Sequence, residues 1–328
     1  MAQGVNIDGV LVTWGDRLFY PGNRIVKGAP PPKLRGDAAA HRAATIRKRI
    51  EATVLRRAPQ VMVKVTGGGR GMQAIAAHFR YISKNGRQQI EDQRGETLRG
   101  KDALRDLGDE WRFGGSLIPE AAEAGHRREA FNIMLSMPRG TDPQAVQRAA
   151  REFARAELAD HKYVMVLHDH QANPHVHISV RAESIHGKRL NPRKADLHRW
   201  RETFAEKLRG FGIDAEASRQ ATRGQRRNFE PLWRIKARED GRLRADHSDA
   251  AVGAPVHAAR AVNAEAWVHI GRALALSGDA ADRKLAQAVV NFVQGMPLVL
   301  HQGAIGGRSR SGHVDLQQAP GLDRMPSR

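Results

Sequence analysis

The chain has 328 residues, and its 54 lysines and arginines against 35 aspartates and glutamates give a formal net charge of +19. It contains no cysteine, which excludes disulfides and thiolate metal sites and is compatible with the cytoplasm. Such a surplus of positive charge predicts a polyanionic partner, either nucleic acid or an anionic membrane, although a charge that only serves solubility is the plainer alternative.

Two features weaken the membrane alternative. No apolar run reaches the roughly 20 residues needed to cross a bilayer. The first residues, MAQGVNIDGVLV, lack a basic stretch followed by an apolar one, so no secretory signal is expected. We therefore expect nucleic acid as the partner, a cytoplasmic location and no membrane insertion.

Residues 1–58 are predicted to form a basic arm, interrupted by APPPKLRG and containing one helix from about His41 to Leu55. VMVKV (61–65) alternates and predicts a strand, and TGGGRG after it predicts a flexible turn rather than a phosphate-binding loop. Apolar residues then recur at helical spacing up to the terminating Asn85-Gly86, namely Met72, Ile75, Ala76, Phe79 and Ile82.

Residues 86–128 are polar and predicted to be irregular. FNIMLSMP (131–138) predicts a second strand, and the following TDPQ opens a helix that Thr141 is expected to cap. KYVMVLH (162–168) and HVHISV (175–180) predict an antiparallel hairpin, because the connection between them is short and rich in turn formers.

SIHGKRLN predicts a fifth strand that returns through a turn at His186-Gly187, and apolar spacing from Leu197 to Phe211 predicts another helix. This order predicts an α+β fold with a mostly antiparallel five-stranded sheet, helices packed on one face and a helical C-terminal segment. The expected divisions are a basic arm (1–58), a central domain (59–245), an Ala-rich segment of two helices split near Ser277-Gly278-Asp279 (246–301) and a disordered tail (302–328).

Four histidines fall within HDHQANPHVH (168–177). Alternate residues of a strand share a face, so His175 and His177 lie together, and hairpin pairing can place His168 opposite them. Three imidazoles from two strands, with coordination positions left open, are typical of a catalytic metal site. His170 lies in the turn and is a weaker candidate, and incidental surface polarity is the alternative for the whole group.

An open metal site in a basic protein indicates phosphodiester chemistry, because a metal ion can offset the charge that develops on phosphate oxygens. The chain offers three tyrosines as nucleophiles. Tyr20 lies in the basic arm, and Tyr163 is out of phase with His168. Tyr81, at a helix end and off the apolar stripe, is the best candidate, with a packing role for its ring as an equally open alternative.

Three motifs, HFRYISKNG, SMPRGTDP and H-x5-PHVH, occur in this order. Together they resemble the three motifs of conjugative relaxases, and over roughly residues 60–227 the chain is similar to the P-type relaxase and mobilization nuclease family of the HUH superfamily. The resemblance implies a relaxase nuclease domain over residues 59–245. It also implies a metal-dependent endonuclease and strand transferase that nicks one strand at the transfer origin of a plasmid or integrative element.

The resemblance implies a role for each motif. Tyr81 matches the nucleophile that becomes linked to the 5′ phosphate, and Ser136 matches a serine that positions DNA near it. The histidines His168, His175 and His177 match ligands of Mg²⁺ or Mn²⁺. The implied partners are single-stranded DNA at the transfer origin, relaxosome accessory proteins and a type IV coupling protein. Many members carry Asp two residues after the first histidine, so the group that deprotonates the tyrosine is left open here.

Basic residues near the motifs are predicted to contact DNA phosphates: Lys84, Arg87, Arg189, Arg193, Arg223, Arg226 and Arg227. Trp200 and Trp233 are candidates for stacking on bases, although helical spacing favours a core position for Trp200. Alternatives from other classes are a rolling-circle replication initiator, a non-catalytic single-stranded DNA-binding module and a zinc hydrolase of small substrates. The intact histidine triad together with Tyr81 disfavours the non-catalytic binding module, and the net positive charge disfavours the zinc hydrolase.

Overall fold

The computed structural model describes residues 6–20, 34–120, 125–224, 237–238, 240–242 and 254–296, with side chains from residue 261 onward in the last range. The tail predicted over 302–328 lies outside the described residues. Within the described ranges, no helix combines the length and the apolar character needed to cross a bilayer.

In the described part of the chain, six strands form one sheet in which every neighbouring pair is antiparallel. They are β1 (Met62–Gly67), β2 (Ile90–Asp92), β3 (Thr97–Leu98), β4 (Ala130–Ser136), β5 (His161–His168) and β6 (His175–Ser184). Their order across the sheet is β1-β4-β6-β5-β2-β3. The predicted α+β class with an antiparallel sheet is confirmed, and the four longer strands coincide with the four predicted apolar segments.

The strand count differs from the predicted five at two places. The polar segment after the first motif contributes the short hairpin β2–β3, which pairs with the edge of β5. The expected fifth strand is reduced to a single bridge between Glu183 and Arg189. The backbone N–H groups of His186 and Lys188 donate to the hydroxyl of Ser184. After this tight turn the chain runs back for a few residues beside the end of β6, where the N–H of Leu190 donates to the carbonyl of Ala182.

Eight α-helices are described: α1 (Ile7–Phe19), α2 (Gly36–Val54), α3 (Met72–Ile82), α4 (Lys101–Phe113), α5 (Pro143–Glu157), α6 (Lys194–Gly210), α7 (Ala254–Ala275) and α8 (Ala280–Gln294). The cap of α5 is Asp142 rather than the predicted Thr141, since the Asp142 carboxylate accepts from the backbone N–H groups of Gln144 and Ala145. The Thr141 hydroxyl instead donates to the carbonyl of Pro138.

One face of the sheet packs against α5 and α6. Alternating residues of the strands meet the apolar stripes of these helices, and this core includes Val63, Ile133, Leu135, Val176, Ile178, Phe153, Trp200 and Phe204. The Trp200 side chain is only 1% exposed, so it packs in the core rather than offering a surface for stacking bases.

The opposite face is covered by α3 and α4, so helices lie on both faces rather than on the single face predicted. The reason is that β5 is apolar on this side too, through Val164 and Val166. Leu104 and Trp111 of α4 pack in the core on this face of the sheet. Helix α4 lies within the segment 86–128, which was predicted to be irregular.

Helices from the two ends of the described chain share a further core. α1 and α2 pack with α7 and α8 around buried residues such as Leu18, Ile46 and Trp267. The predicted division of the Ala-rich segment into two helices is confirmed, and Asp279 caps the second. The described residues of the basic segment 1–58 form two packed helices rather than the one predicted from about His41 to Leu55. The domain boundaries themselves stay a prediction.

Candidate metal centre and nucleophile

Strand register determines which side chains meet at the β5–β6 hairpin. His168 pairs directly with His175, and His177 pairs with Val166 on the same strand pair. On the other side of β6, Ser136 of β4 pairs with His175. Because side chains alternate between the two faces of a strand, Ser136 and the three histidines lie on the face of the sheet that α3 covers. They lie toward the end of β5, past the apolar residues in its middle.

The structure brings His168, His175 and His177 together in one buried cluster. Their ring centroids are 4.7 to 5.1 Å apart, and one ring nitrogen from each lies within 4.8 Å of the others. Each side chain is less than 10% exposed. His170 lies outside this cluster, in the exposed turn, although its ring centroid is 5.2 Å from that of His168.

Backbone carbonyls fix the orientation of two of these imidazoles. His168 Nε2 lies 2.7 Å from the carbonyl oxygen of Ile82, and His175 Nδ1 lies 2.9 Å from that of Asn173. A carbonyl only accepts, so each of these nitrogens carries the proton, which leaves Nδ1 of His168 and Nε2 of His175 as lone-pair donors. Such carbonyl partners are the usual support of metal-binding histidines.

The electrostatics of the cluster also suit a metal ion. Burial lowers the pKa of His168, and burial together with the neighbouring histidines lowers the pKa of His177 to about 3. Both imidazoles are therefore neutral at physiological pH, which is the form that binds metals. The triad thus fits a divalent cation bound by three neutral nitrogens.

The motif around Tyr81 shapes the end of α3. Ser83 caps the helix, donating its hydroxyl hydrogen to the carbonyl of Phe79 and accepting from the backbone N–H of Gly86. Gly86 has φ +80°, and a Cβ there would lie 2.7 Å from the carbonyl oxygen of Gly100. Only glycine satisfies both the left-handed backbone and this close approach. Ser83 and Gly86 therefore fix the conformation of the chain at the end of α3.

Tyr81 projects from that helix end beside the triad. Its side chain is 66% exposed, and its ring centroid is 6.0 Å from that of His177. The other two tyrosines have different surroundings. Tyr163 is buried in the core on the opposite face of the sheet, and Tyr20 packs under the guanidinium of Arg42.

His78 is a site residue that the sequence analysis missed. It precedes Tyr81 by one helical turn, and its ring centroid lies 6.0 Å from that of Tyr81 and 6.2 Å from that of His177. Burial lowers the pKa of His78 to about 4, and its Nε2 has no hydrogen-bond partner among the described residues. The i, i+3 spacing of His78 and Tyr81 on a helix was the signal that could have found it.

Ser136 is buried beside the triad, and its hydroxyl lies 3.3 Å from the carbonyl oxygen of Pro174. The predicted DNA contacts divide into two groups. Lys84 and Arg87 line a shallow groove together with Arg80 and Tyr81. The remaining candidates lie elsewhere or outside the described residues.

Arg189 bridges Glu129 and Glu183, at the end of β6 that is far from His175. Arg193 is exposed at the start of α6, and Arg223 is buried with its Nε donating to Ser218. Arg226, Arg227 and Trp233 lie outside the described residues. Among the predicted DNA contacts that the structure describes, Lys84 and Arg87 are therefore the ones that lie next to the tyrosine.

Comparison with known proteins agrees with this geometry. Residues 81–213 match the family model described as the nuclease domain of MobA/VirD2-like relaxases. The T-DNA border endonuclease VirD2 of Rhizobium radiobacter is 24% identical over 182 residues, which cover 50% of this chain and 43% of that protein. The matched segment contains Tyr81, Ser136 and the histidine triad. The comparisons confirm the resemblance drawn from the three motifs, and they support a relaxase.

Proposed function

We propose that this protein is a DNA relaxase that nicks one strand at a transfer origin and becomes linked to the 5′ phosphate through Tyr81. The observation that carries the proposal is the exposed phenol of Tyr81 with its ring centroid 6.0 Å from that of His177 in a buried histidine triad. A nucleophile on a helix end and a metal centre on the sheet then face the same space.

The reaction exchanges one phosphodiester for another. The Tyr81 oxygen forms a bond to phosphorus while the bond from phosphorus to the 3′ oxygen breaks. The phenol loses its proton, and the departing 3′ oxygen gains one. Because the phosphotyrosine retains a diester linkage, the reverse reaction rejoins the strand without ATP, whereas attack by water would leave a loose end.

His168, His175 and His177 would hold the divalent cation, for which we propose Mg²⁺ or Mn²⁺ as the working ion. When bound, such a cation stabilises the charge that develops on non-bridging phosphate oxygens. Imidazole ligands favour transition metals over Mg²⁺ in intrinsic affinity, so tight binding in vitro does not identify the working ion. Ser136, buried beside His175, helps to hold the DNA strand near Tyr81.

Single-stranded DNA is the proposed substrate, held first by the groove beside Tyr81. Arg80, Lys84 and Arg87 line it, and none of the three forms an ion pair with a described residue. Their charges are therefore available to phosphates. Arg189, Arg193, Arg223, Arg226 and Arg227 stay predicted contacts for more distant nucleotides. Relaxosome accessory proteins and a type IV coupling protein in the cytoplasm complete the proposed context of conjugative transfer.

The test is cleavage of a supercoiled plasmid that carries the transfer origin of the element encoding this protein, with Mg²⁺ or Mn²⁺ present. The proposal expects a nicked circle whose 5′ end carries covalently bound protein and whose 3′ end is free. A chain that binds the origin strand tightly without nicking it would be the non-catalytic binding module. A nicked product with a free 5′ phosphate would indicate a hydrolase.

A further inference from the structure

Two of the three triad histidines have a visible hydrogen-bond partner on their second ring nitrogen, and the third does not. His168 has the carbonyl of Ile82 and His175 has that of Asn173, whereas His177 Nδ1 is buried without a partner among the described residues. A buried imidazole nitrogen without a partner loses its hydration and gains nothing in return. A metal ligand in that state has no outer hydrogen bond to fix the orientation of its ring.

A second unpartnered nitrogen lies next to it. His78 is only partly buried, yet its Nε2 is inaccessible and has no hydrogen-bond partner in the described part of the chain. That nitrogen is therefore covered by protein atoms rather than by solvent. The ring of His78 meets the ring of His177 edge to face, at an interplanar angle of 76° and with the centroids 6.2 Å apart.

We propose that His78 is a positioning residue whose Nε2 accepts a hydrogen bond from Nδ1–H of His177 when the triad holds its metal ion. This inference rests on the proposed function. The two groups are chemically complementary, because a neutral imidazole that binds a metal through Nε2 must carry its proton on Nδ1. A neutral His78 with its own proton on Nδ1 presents a lone pair at Nε2.

The two nitrogens are not hydrogen-bonded in the structure, so the contact requires a change in orientation of the His78 ring, which is only partly buried. Helix α3 would then hold two of the three ligands, His168 through the carbonyl of Ile82 and His177 through His78. Tyr81 lies between these two attachment points in the sequence. The helix would therefore set the distance between the nucleophile and the metal ion, and positions fixed within fractions of an ångström matter for phosphoryl transfer.

Calorimetric titration with Co²⁺ on the full chain tests the proposal in the absence of DNA. His78→Leu removes the acceptor, His78→Gln keeps one at a similar reach, and His186→Leu is the control at an exposed histidine in a turn away from the triad. We expect His78→Leu to weaken Co²⁺ binding about 10- to 100-fold, the usual loss when a ligand's outer hydrogen bond is removed. His78→Gln should recover most of that affinity, and His186→Leu should leave it unchanged.

Two results would overturn the proposal. One is unchanged Co²⁺ affinity in folded His78→Leu. The other is a His78→Gln variant as weak as His78→Leu, since that would mean that ring shape matters and hydrogen bonding does not. The absorption spectrum of the bound Co²⁺ adds a second readout, and it should shift in His78→Leu because the orientation of one ligand changes.

A measurement on the wild-type chain does not depend on the variants folding. With Zn²⁺ bound and uniform ¹⁵N labelling, NMR should show a scalar coupling across the hydrogen bond between Nδ1 of His177 and Nε2 of His78. Absence of that coupling from a resolved His177 Nδ1–H signal contradicts the proposal. Neither metal binding nor this coupling requires cleavage, so a failure here is distinct from a failure of the proposed relaxase activity.

Discussion

His168 Nε2 donates a hydrogen bond of 2.7 Å to the carbonyl oxygen of Ile82, the residue that directly follows Tyr81. This contact joins the metal centre on the sheet to the helix that carries the nucleophile. It connects residues 86 positions apart in sequence. A change in the position of His168 is therefore transmitted to the backbone beside Tyr81, and the histidine serves both as a ligand and as a support of the helix end.

Single alanine variants of the triad should lose metal binding and nicking together. In His168→Ala, His175→Ala and His177→Ala, one of three nitrogen ligands is removed, and metal titration beside oligonucleotide cleavage measures both effects. His170→Ala should have a smaller effect, because His170 lies outside the cluster. If His170→Ala is as damaging as His175→Ala while His168→Ala is harmless, the ligand set is different.

Gly86→Ala should destabilise the turn after α3 and slow nicking. The new methyl group meets the carbonyl of Gly100 in a backbone with φ +80°, so α3 must shift at the end that carries Tyr81. Gly95→Ala is the matched control, because its φ is +87° and nothing lies within 4 Å of the added carbon. The control should lose roughly 1–2 kcal/mol of stability from backbone strain alone and keep its nicking rate.

Urea denaturation of the two glycine variants separates the contributions. Gly86→Ala should unfold at clearly lower urea than Gly95→Ala, since it adds a steric clash to the same strain. Equal denaturation midpoints and equal nicking rates for the two variants would show that the approach of Gly100 does not restrict residue 86.

Arg49→Met should destabilise the protein strongly. Arg49 of α2 is buried and pairs with Glu216 and Glu202, which lie after and within α6. Removing the cation leaves the Glu216 carboxylate buried and uncompensated, a loss of about 3–5 kcal/mol in denaturant unfolding. Arg155→Met, which breaks an exposed pair with Glu152, should change stability by less than about 1 kcal/mol.

The double variant Arg49→Met with Glu216→Gln checks the cause. It should recover much of the lost stability, because the buried charge of Glu216 is gone and only the more exposed Glu202 lacks its partner. A double variant as unstable as Arg49→Met alone would assign the loss to packing of the Arg49 side chain.

Acid should destabilise the fold partly through His198. Burial, and then the positive charges of Arg49, Arg201 and Arg219, lower the pKa of His198 to about 4. In the unfolded chain its pKa is about 6.5. As the pH falls below the unfolded value, the unfolded chain binds a proton that the folded protein does not, so stability falls until about pH 4 and is unaffected above about pH 7.

His198→Gln removes this titration. Its free energy of unfolding, measured in urea between pH 4 and 8, should fall less steeply on acidification than that of the wild type. Parallel pH profiles for the two proteins would mean that His198 keeps an ordinary pKa in the folded state.

The alternation of the strands was enough to predict the shared face of the triad. Val164 and Val166 lie in phase with His168, and the short hairpin left few registers, so the pairing of His168 with His175 followed from local pattern. The same alternation of side chains predicted that Tyr163 lies on the face of the sheet opposite the triad, and the structure confirms it.

Other features depend on contacts that sequence pattern does not encode. The cluster of Leu18, Ile46 and Trp267 joins segments more than 200 residues apart, and no local periodicity predicts that partnership. Helix α4 is different, because Leu104, Leu107 and Trp111 form a readable stripe within a highly charged segment. Because the segment carries so many charges, the sequence did not predict α4. It therefore also missed the helical layer on this face of the sheet, in which α4 packs with α3.

The most direct test of the relaxase assignment is to capture the covalent complex on an oligonucleotide that contains the origin nick site, and to map the attachment residue by mass spectrometry. We expect a DNA adduct on Tyr81, and Tyr81→Phe should abolish it while leaving single-strand affinity nearly unchanged, because only the hydroxyl is removed. An adduct that persists in Tyr81→Phe, or that maps to Tyr20 or Tyr163, would show that Tyr81 is not the nucleophile.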